Sequence, residues 1–383
     1  MWTTDYRRRG AGQNAGLRLR IFFWQNILSP HQSSFLRALV EEGHDVTLVT
    51  CEAMTADREA LGWIVPDLGC AEVFINPDLK TIQDLISRGG NDGIHIIAGA
   101  RWTPLGDEAL RQCRKLGRRL GVLTEAPDPR GLAGPLRWGK YTAERLVHGW
   151  HYDFVLAMGA MGVRWFRQCG YPTSKLFPFA YVTEMPSPLI APVSVDGFAI
   201  LYVGQFISRK GLDILLRAFA AEGSLGVQLR LLGDGPEVSA LQGLAIQLGI
   251  ADRVIWLPKQ NAAGVQREMA KADVTVLPSR HDGWGAVVNE SLQSGTPVLC
   301  STACGASELI RHPWLGTVFR TGSVSELTKG LHFWIERGPC SHEERVRIRD
   351  WAYCISGKST AQYFVGIMNH IYAGAPRPIA PWR

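Results

Sequence analysis

Short apolar runs, each bounded by glycine or a polar turn, alternate with helical segments along most of this chain. Residues 17–25 alternate and then run apolar through Ile21, Phe22 and Phe23, which predicts a buried strand. The polar loop from Ser29 to Ser34 leads into a helical stretch over 35–42, Gly43 ends it, and 45–50 reads as a second strand. Strand, loop, helix, glycine, strand is the βαβ signature of a parallel sheet. The rhythm continues through an apolar run at 95–98, a helix over 107–120, and strands at 121–124 and 154–158.

Between Pro172 and Pro192 the character changes, because Pro178, Pro186 and Pro188 crowd the same stretch. Such a stretch holds neither helix nor central strand. The βαβ rhythm then restarts. Strands are expected at 198–203, 228–232, 253–257, 274–277 and 297–300, with helices at 212–221, from about 236 to 249, and at 284–294. The chain therefore divides into an α/β domain over 1–178, a Pro-rich linker over 179–196, a second α/β domain over 197–358, and a final helix and tail over 359–383 expected to pack back on the first domain.

Composition narrows the class without naming a function. The 383 residues are 46% apolar and 20% charged, proportions of a globular protein and not of a fibrous or disordered one. The net charge of +6 permits phosphorylated ligands or an anionic surface and demands neither. The eight cysteines form no CxxC pair, and in a chain able to build its own core they read as reduced and mostly buried. No run of 18 apolar residues suggests a transmembrane helix, and no signal peptide is recognised, so a cytoplasmic protein is expected.

Two α/β domains leave a cleft between the carboxyl ends of their sheets, where ligands bind. Three loops of the second domain fall there. The first, Gly204 to Gly211, carries Arg209 and Lys210 directly after a strand, a fork and a point charge that suit an anion. The second, Gly233-Asp234-Gly235-Pro236, is a turn whose glycines allow close backbone approach. The third runs from Pro278 to Glu290 and separates two acids, Asp282 and Glu290, by Gly283-Trp284-Gly285. Free N–H groups around those glycines could hold phosphate. Taken singly, the first loop reads more readily as a solvated turn and the second as a tight turn, and the third is evenly balanced between a site and a solvated loop.

Together the loops resemble the donor half of family 4 of the retaining glycosyltransferases, with the GT-B fold. That family shows Gly-Arg, four residues, Lys-Gly; then Gly-x-Gly-Pro-Glu; then Pro-Ser, Glu-Gly-Phe-Gly, a second Glu eight after the first, and Gly-x-Pro-Val. Here these read Gly204 to Gly211, Gly233 to Glu237, Pro278 to Glu290, and Gly295-Thr296-Pro297-Val298, with Gly305 to Glu308 as the next loop. The chain departs from the pattern at Gln205, where the family has arginine, at Asp282, where it has glutamate, and over Ser29 to Ser34, where it has a glycine pair.

The resemblance implies two Rossmann-like doubly wound parallel-sheet domains facing a central cleft. It implies an enzyme that moves a sugar from a nucleotide-diphosphate donor to a glycan or lipid-linked acceptor, retaining the anomeric configuration, in bacterial-type polysaccharide or glycolipid synthesis. Lys210, Arg209, Asp282 and Glu125 are the implied catalytic residues, with Gly204, Gln205, Gly235, Gly283, Trp284, Gly285 and Glu290 on the donor. No metal and no cofactor are expected beyond the nucleotide sugar, and nucleic acid is not an expected partner. A sugar-nucleotide epimerase or phosphorylase of the same fold, and a non-catalytic binding protein, are the alternatives. Release of free UDP only on addition of acceptor separates a transferase from an epimerase.

In the first half, His31 and Gln32 follow the first strand, on the acceptor side. Glu125 ends a strand where the family often has a histidine that contacts the donor sugar. Arg111, Arg114, Lys115, Arg118 and Arg119 are expected to cluster on one helix, facing solvent or an anionic membrane on the inner face of the plasma membrane. A phosphate-loop-like stretch at Ala352 and Gly357-Lys358-Ser359 lacks the preceding apolar strand and is set aside.

Overall fold

The computed structural model describes residues 18–60, 62–99, 103–186 and 197–383. Its first sheet is built from β1 (Arg20–Gln25), β2 (Asp45–Thr50), β3 (Glu72–Ile75), β4 (Ile94–Ala98), β5 (Arg119–Thr124), β6 (Phe154–Met158) and β7 (Leu176–Phe179), in the order β3-β2-β1-β4-β5-β6-β7. The second contains β8 (Phe198–Val203), β9 (Val227–Leu232), β10 (Val254–Leu257), β11 (Val274–Leu277), β12 (Val298–Ser301) and β13 (Gly316–Phe319), ordered β10-β9-β8-β11-β12-β13. Every recorded pairing is parallel. Strand order reverses between β1 and β4 in one sheet and between β8 and β11 in the other. A doubly wound sheet opens a crevice at that point, so the fold itself aims two crevices at one cleft.

The central strands are buried on both faces, and β1, β6, β8 and β11 accordingly read as near-continuous apolar runs. Pro178 sits in β7, at the sheet edge, where a missing N–H is tolerated. The stretch after it is not a bare connector. Val182 and Thr183 are buried, and the Thr183 hydroxyl donates to Gln293 Oε1 of the second domain at 2.7 Å. The linker expected over 179–196 lies in part outside the described residues.

The chain returns to the first domain through the helix Gly357–Ala373. Phe364 packs against Phe23 and Phe35, and the Tyr363 hydroxyl donates to the Pro178 carbonyl at 3.1 Å. A Cβ on Gly357 would lie 2.2 Å from the Ser34 carbonyl oxygen, so this glycine serves close packing of two helices. The phosphate-loop-like stretch therefore starts a helix that follows another helix, His342–Ala352, and a 3-10 turn, not a strand.

The basic helix is shorter than its pattern suggests. It spans Pro104–Lys115 and ends at Gly117, where φ is +60°. Arg118 and Arg119 lie beyond it: Arg118 donates to Asn91 Oδ1 at 2.6 Å, and Arg119 pairs with Asp92 at 2.8 Å. Arg111 is paired with Glu108 on its own helix. All eight cysteines are unpaired and five are buried. No helix among the described residues is long and apolar enough to cross a membrane.

Candidate active site

The loops after β8 and β11 are stapled together. Gly211 adopts φ +71°, and a Cβ there would lie 2.4 Å from the Pro278 carbonyl, so only glycine lets the chain after Lys210 pass this close to the end of β11. The Arg280 amide donates to the Arg209 carbonyl at 2.8 Å, and Arg209 Nη1 donates to the His281 carbonyl at 3.0 Å. Arg280 itself forks onto Asp213 at 2.8 and 2.6 Å. These contacts bring Lys210 Nζ to 2.5 Å from Asp282 Oδ2, an ion pair that is mostly shielded from solvent.

Asp282 is fixed from its other side. Its amide donates to the Ala303 carbonyl at 2.9 Å, and its carbonyl accepts from the Gly305 amide at 3.1 Å. Gly285 stands at φ +90°, where a Cβ would lie 2.5 Å from Cys304 Sγ. The N–H groups of Gly283, Trp284 and Gly285 have no acceptor among the described residues. The Trp284 indole is buried behind the loop and donates to Asn289 Oδ1 at 2.9 Å, so any ligand contact at this position is through its backbone.

The glycine turn after β9 packs under the first loop. A Cβ on Gly233 would lie 1.9 Å from the Gly204 carbonyl, and one on Gly235 would lie 2.4 Å from the Phe206 carbonyl. Gln205 accepts the Tyr202 hydroxyl on its carbonyl at 2.8 Å. The helix expected from Trp284 begins at Val287, which places Glu290 in its first turn. The Glu290 carboxylate has no charged or hydrogen-bonding partner among the described residues, and burial lifts it to about 7. A shielded, unpartnered carboxylate is a strong acceptor in need of donors.

The first domain supplies the opposite wall. Glu125 follows β5, and its Oε1 accepts the Tyr181 hydroxyl at 2.5 Å. Burial raises its affinity for a proton, and the Asp282 charge adds to that, against the Tyr181 hydrogen bond. His31 rests against Trp63 and Tyr181, with ring centroids 4.6 and 5.6 Å away. Burial first, then the charge of Arg58, depresses it to about 4, which leaves the ring neutral at neutral pH. The charge of Asp282 is felt by His31, Glu125, Tyr181, Tyr202 and Cys304, so both walls of the cleft converge on it. Gln32 is buried and accepts from Gln25 Nε2 at 2.6 Å, which ties it to the interior of its own domain.

Tyr181, Arg58 and Trp63 escaped the sequence reading. Tyr181 lies in the Pro-rich stretch whose composition signals a linker, and Arg58 and Trp63 lie in a segment with no motif. Among the described residues, no cluster of three or more His, Cys, Asp or Glu is placed to hold a metal ion.

Comparison with known proteins finds likenesses in sequence and in fold. Residues 192–353 match the family Glycosyl transferases group 1. The chain is 37% identical over 116 residues to the D-inositol 3-phosphate glycosyltransferase of Mycobacteroides abscessus, covering 29% of this chain and 26% of that protein. It is 32% identical over 148 residues to the lipopolysaccharide core biosynthesis glycosyltransferase LpsE of Rhizobium meliloti, covering 39% of this chain and 41% of that one. Among solved structures, HepE of Anabaena in complex with UDP superposes with a TM-score of 0.70 at 17% identity, over 92% of this chain and 100% of that one. Residues 192–353 thus carry a glycosyl transferases group 1 domain, set in a chain whose two facing parallel-sheet domains have the GT-B fold.

Proposed function

We propose that this protein is a retaining glycosyltransferase that moves a sugar from a nucleotide-diphosphate donor to a hydroxyl of a glycan or lipid-linked acceptor in bacterial-type polysaccharide or glycolipid synthesis. The observation that carries the reading is the Lys210–Asp282 pair, set at the switch point of the second sheet and followed eight residues later, in the first turn of the next helix, by the unpartnered Glu290. Solved structures of HepE with UDP and with UDP-glucose support a nucleotide sugar as the donor.

In this reading the bond between the anomeric carbon and the diphosphate oxygen breaks, and negative charge collects on the β-phosphate. Lys210, Arg209 and the free N–H groups of Gly283 to Gly285 receive that charge, so the leaving group is stabilised electrostatically and no metal is required. Gly204, Gln205 and Gly235 shape the floor of the donor site. Glu290 accepts hydrogen bonds from the ribose hydroxyls, which supply the donors that it lacks in the free protein. Asp282 holds Lys210 with one oxygen and takes sugar hydroxyls with the other. The acceptor oxygen attacks on the face that the phosphate leaves, and its proton passes to the departing phosphate. Glu125 lines the sugar site, and His31 and Gln32 mark the acceptor side.

Thermal-shift screening against a panel of nucleotide sugars tests the reading directly. One donor should raise the melting temperature, and free nucleoside diphosphate should appear only when an acceptor is added. Release independent of acceptor, or stabilisation by no nucleotide, would overturn it.

A further inference from the structure

A surface helix normally turns its apolar stripe toward the core. The helix Ala133–Val147 does the reverse. On its inner face Gly134 is buried and Tyr141 packs edge-on against Trp165 and Phe166, at 6.0 and 5.7 Å. Leu132, Leu136, Gly139, Ala143, Leu146 and Val147 follow one another at helical spacing and line the outer face. Leu132 is 98% exposed, Leu136 76% and Leu146 58%, and Trp150 just beyond the helix is 71% exposed. An apolar row of this length facing water marks an interaction surface.

Charge identifies what it meets. Lys140 is exposed at the flank of the row. Arg114 and Lys115 end the neighbouring helix, where Arg114 Nη1 lies 2.7 Å from His148 Nδ1, and Leu116 beside them is also exposed. The single acid of the outward-facing helix, Glu144, accepts the Tyr152 hydroxyl at 2.8 Å. An apolar row with a tryptophan at its end and cations beside it is the pattern of a helix lying in the interface of an anionic bilayer. A second copy docked face to face would set these cations against their own like.

We propose that the helix Ala133–Val147 seats the protein on an anionic lipid surface, with Leu132, Leu136, Leu146 and Val147 entering the headgroup boundary and Lys140, Arg114 and Lys115 meeting lipid phosphates. The proposal deepens the reading of a lipid-linked acceptor and rests on it. Leu132 follows Glu125, at the cleft, by seven positions, and Arg137 Nη1 donates back to the Asp128 carbonyl within that segment at 2.8 Å. Seating the helix therefore holds the acceptor side of the cleft near the lipid headgroups.

The test is co-sedimentation of the full chain with vesicles of phosphatidylcholine alone or mixed with phosphatidylglycerol, alongside UDP binding by calorimetry. The protein should pellet with the mixed vesicles and be partly released by salt. Leu136→Glu with Leu146→Glu should lower that partition by at least about tenfold. Both side chains are exposed, so the melting temperature and UDP affinity should stay unchanged. Equal sedimentation of parent and variant, or no sedimentation of the parent, would overturn the proposal. So would a parent dimer that the variant converts to monomer without any vesicle binding. Vesicle binding that persists in a protein unable to bind UDP would uphold the lipid surface and remove the glycosyltransferase reading instead.

Discussion

Glu125 of the first domain and Gly283 of the second touch across the cleft: a Cβ added to Gly283 would lie 1.9 Å from Glu125 Oε2. The missing side chain at 283 is the space in which the Glu125 carboxylate sits. Gly283→Ala should push that carboxylate away from Tyr181 and Asp282. The expected result is a loss of turnover of about tenfold or more with nearly unchanged UDP affinity, read by steady-state kinetics beside calorimetry. Normal turnover would show that this contact has no part in catalysis.

Lys210→Ala removes one of the charges that the proposed leaving group would meet. Turnover should fall about 10²-fold or more. Asp282→Asn should also lose activity, because it releases the Lys210 ammonium from its 2.5 Å contact. The two losses should not add in the double variant, since the residues act as one unit. Additive losses would show that they act independently.

Glu290 sets a pH dependence whose sign is fixed by its environment. Burial raises it from 4.5 to about 7 in the folded protein. Between those values the folded state binds more protons than the unfolded chain, so stability falls as pH rises through this window. Glu290→Gln should raise the melting temperature of the ligand-free protein by a few degrees at pH 8 and hardly at all at pH 4.5. It should also weaken UDP binding, and the ratio of parent to variant affinity should grow from pH 6 to pH 8. An unchanged ratio would remove Glu290 from the nucleotide site.

His31 works in the opposite sense. Its folded value near 4 lies below the ordinary 6.5, so it contributes a loss of stability as pH drops from 6.5 toward 4. His31→Gln should flatten that part of the acid melting curve while leaving the melting temperature at pH 8 within about 2 °C.

Much of the fold was legible because buried parallel strands read as apolar runs between breaks. The segments 45–50, 154–158, 198–203 and 274–277 coincide with β2, β6, β8 and β11. β3 gave no such signal, since Glu72 and Ile75 are exposed at the sheet edge. The apolar period of the basic helix runs on through Leu116 and Leu120, but the left-handed backbone of Gly117 ends the helix itself at Lys115. The donor loops could be found because each is one contiguous motif behind one strand. The opposite wall could not: Tyr181 meets Glu125 across 56 residues, and Glu125 meets Gly283 across a domain boundary. No local period records such meetings.

Two covalent connections join the domains, one after β7 and one into the helix Gly357–Ala373, and the segment after that helix contacts the second domain again, where Trp382 Nε1 donates to Glu308 Oε1 at 3.0 Å. Two tethers confine relative movement to rocking about a line through both, where one tether would permit swivelling in any direction. The wall that carries Glu125 and the wall that carries Lys210 therefore approach each other along a short, defined arc. A substrate entering the cleft has one door to close.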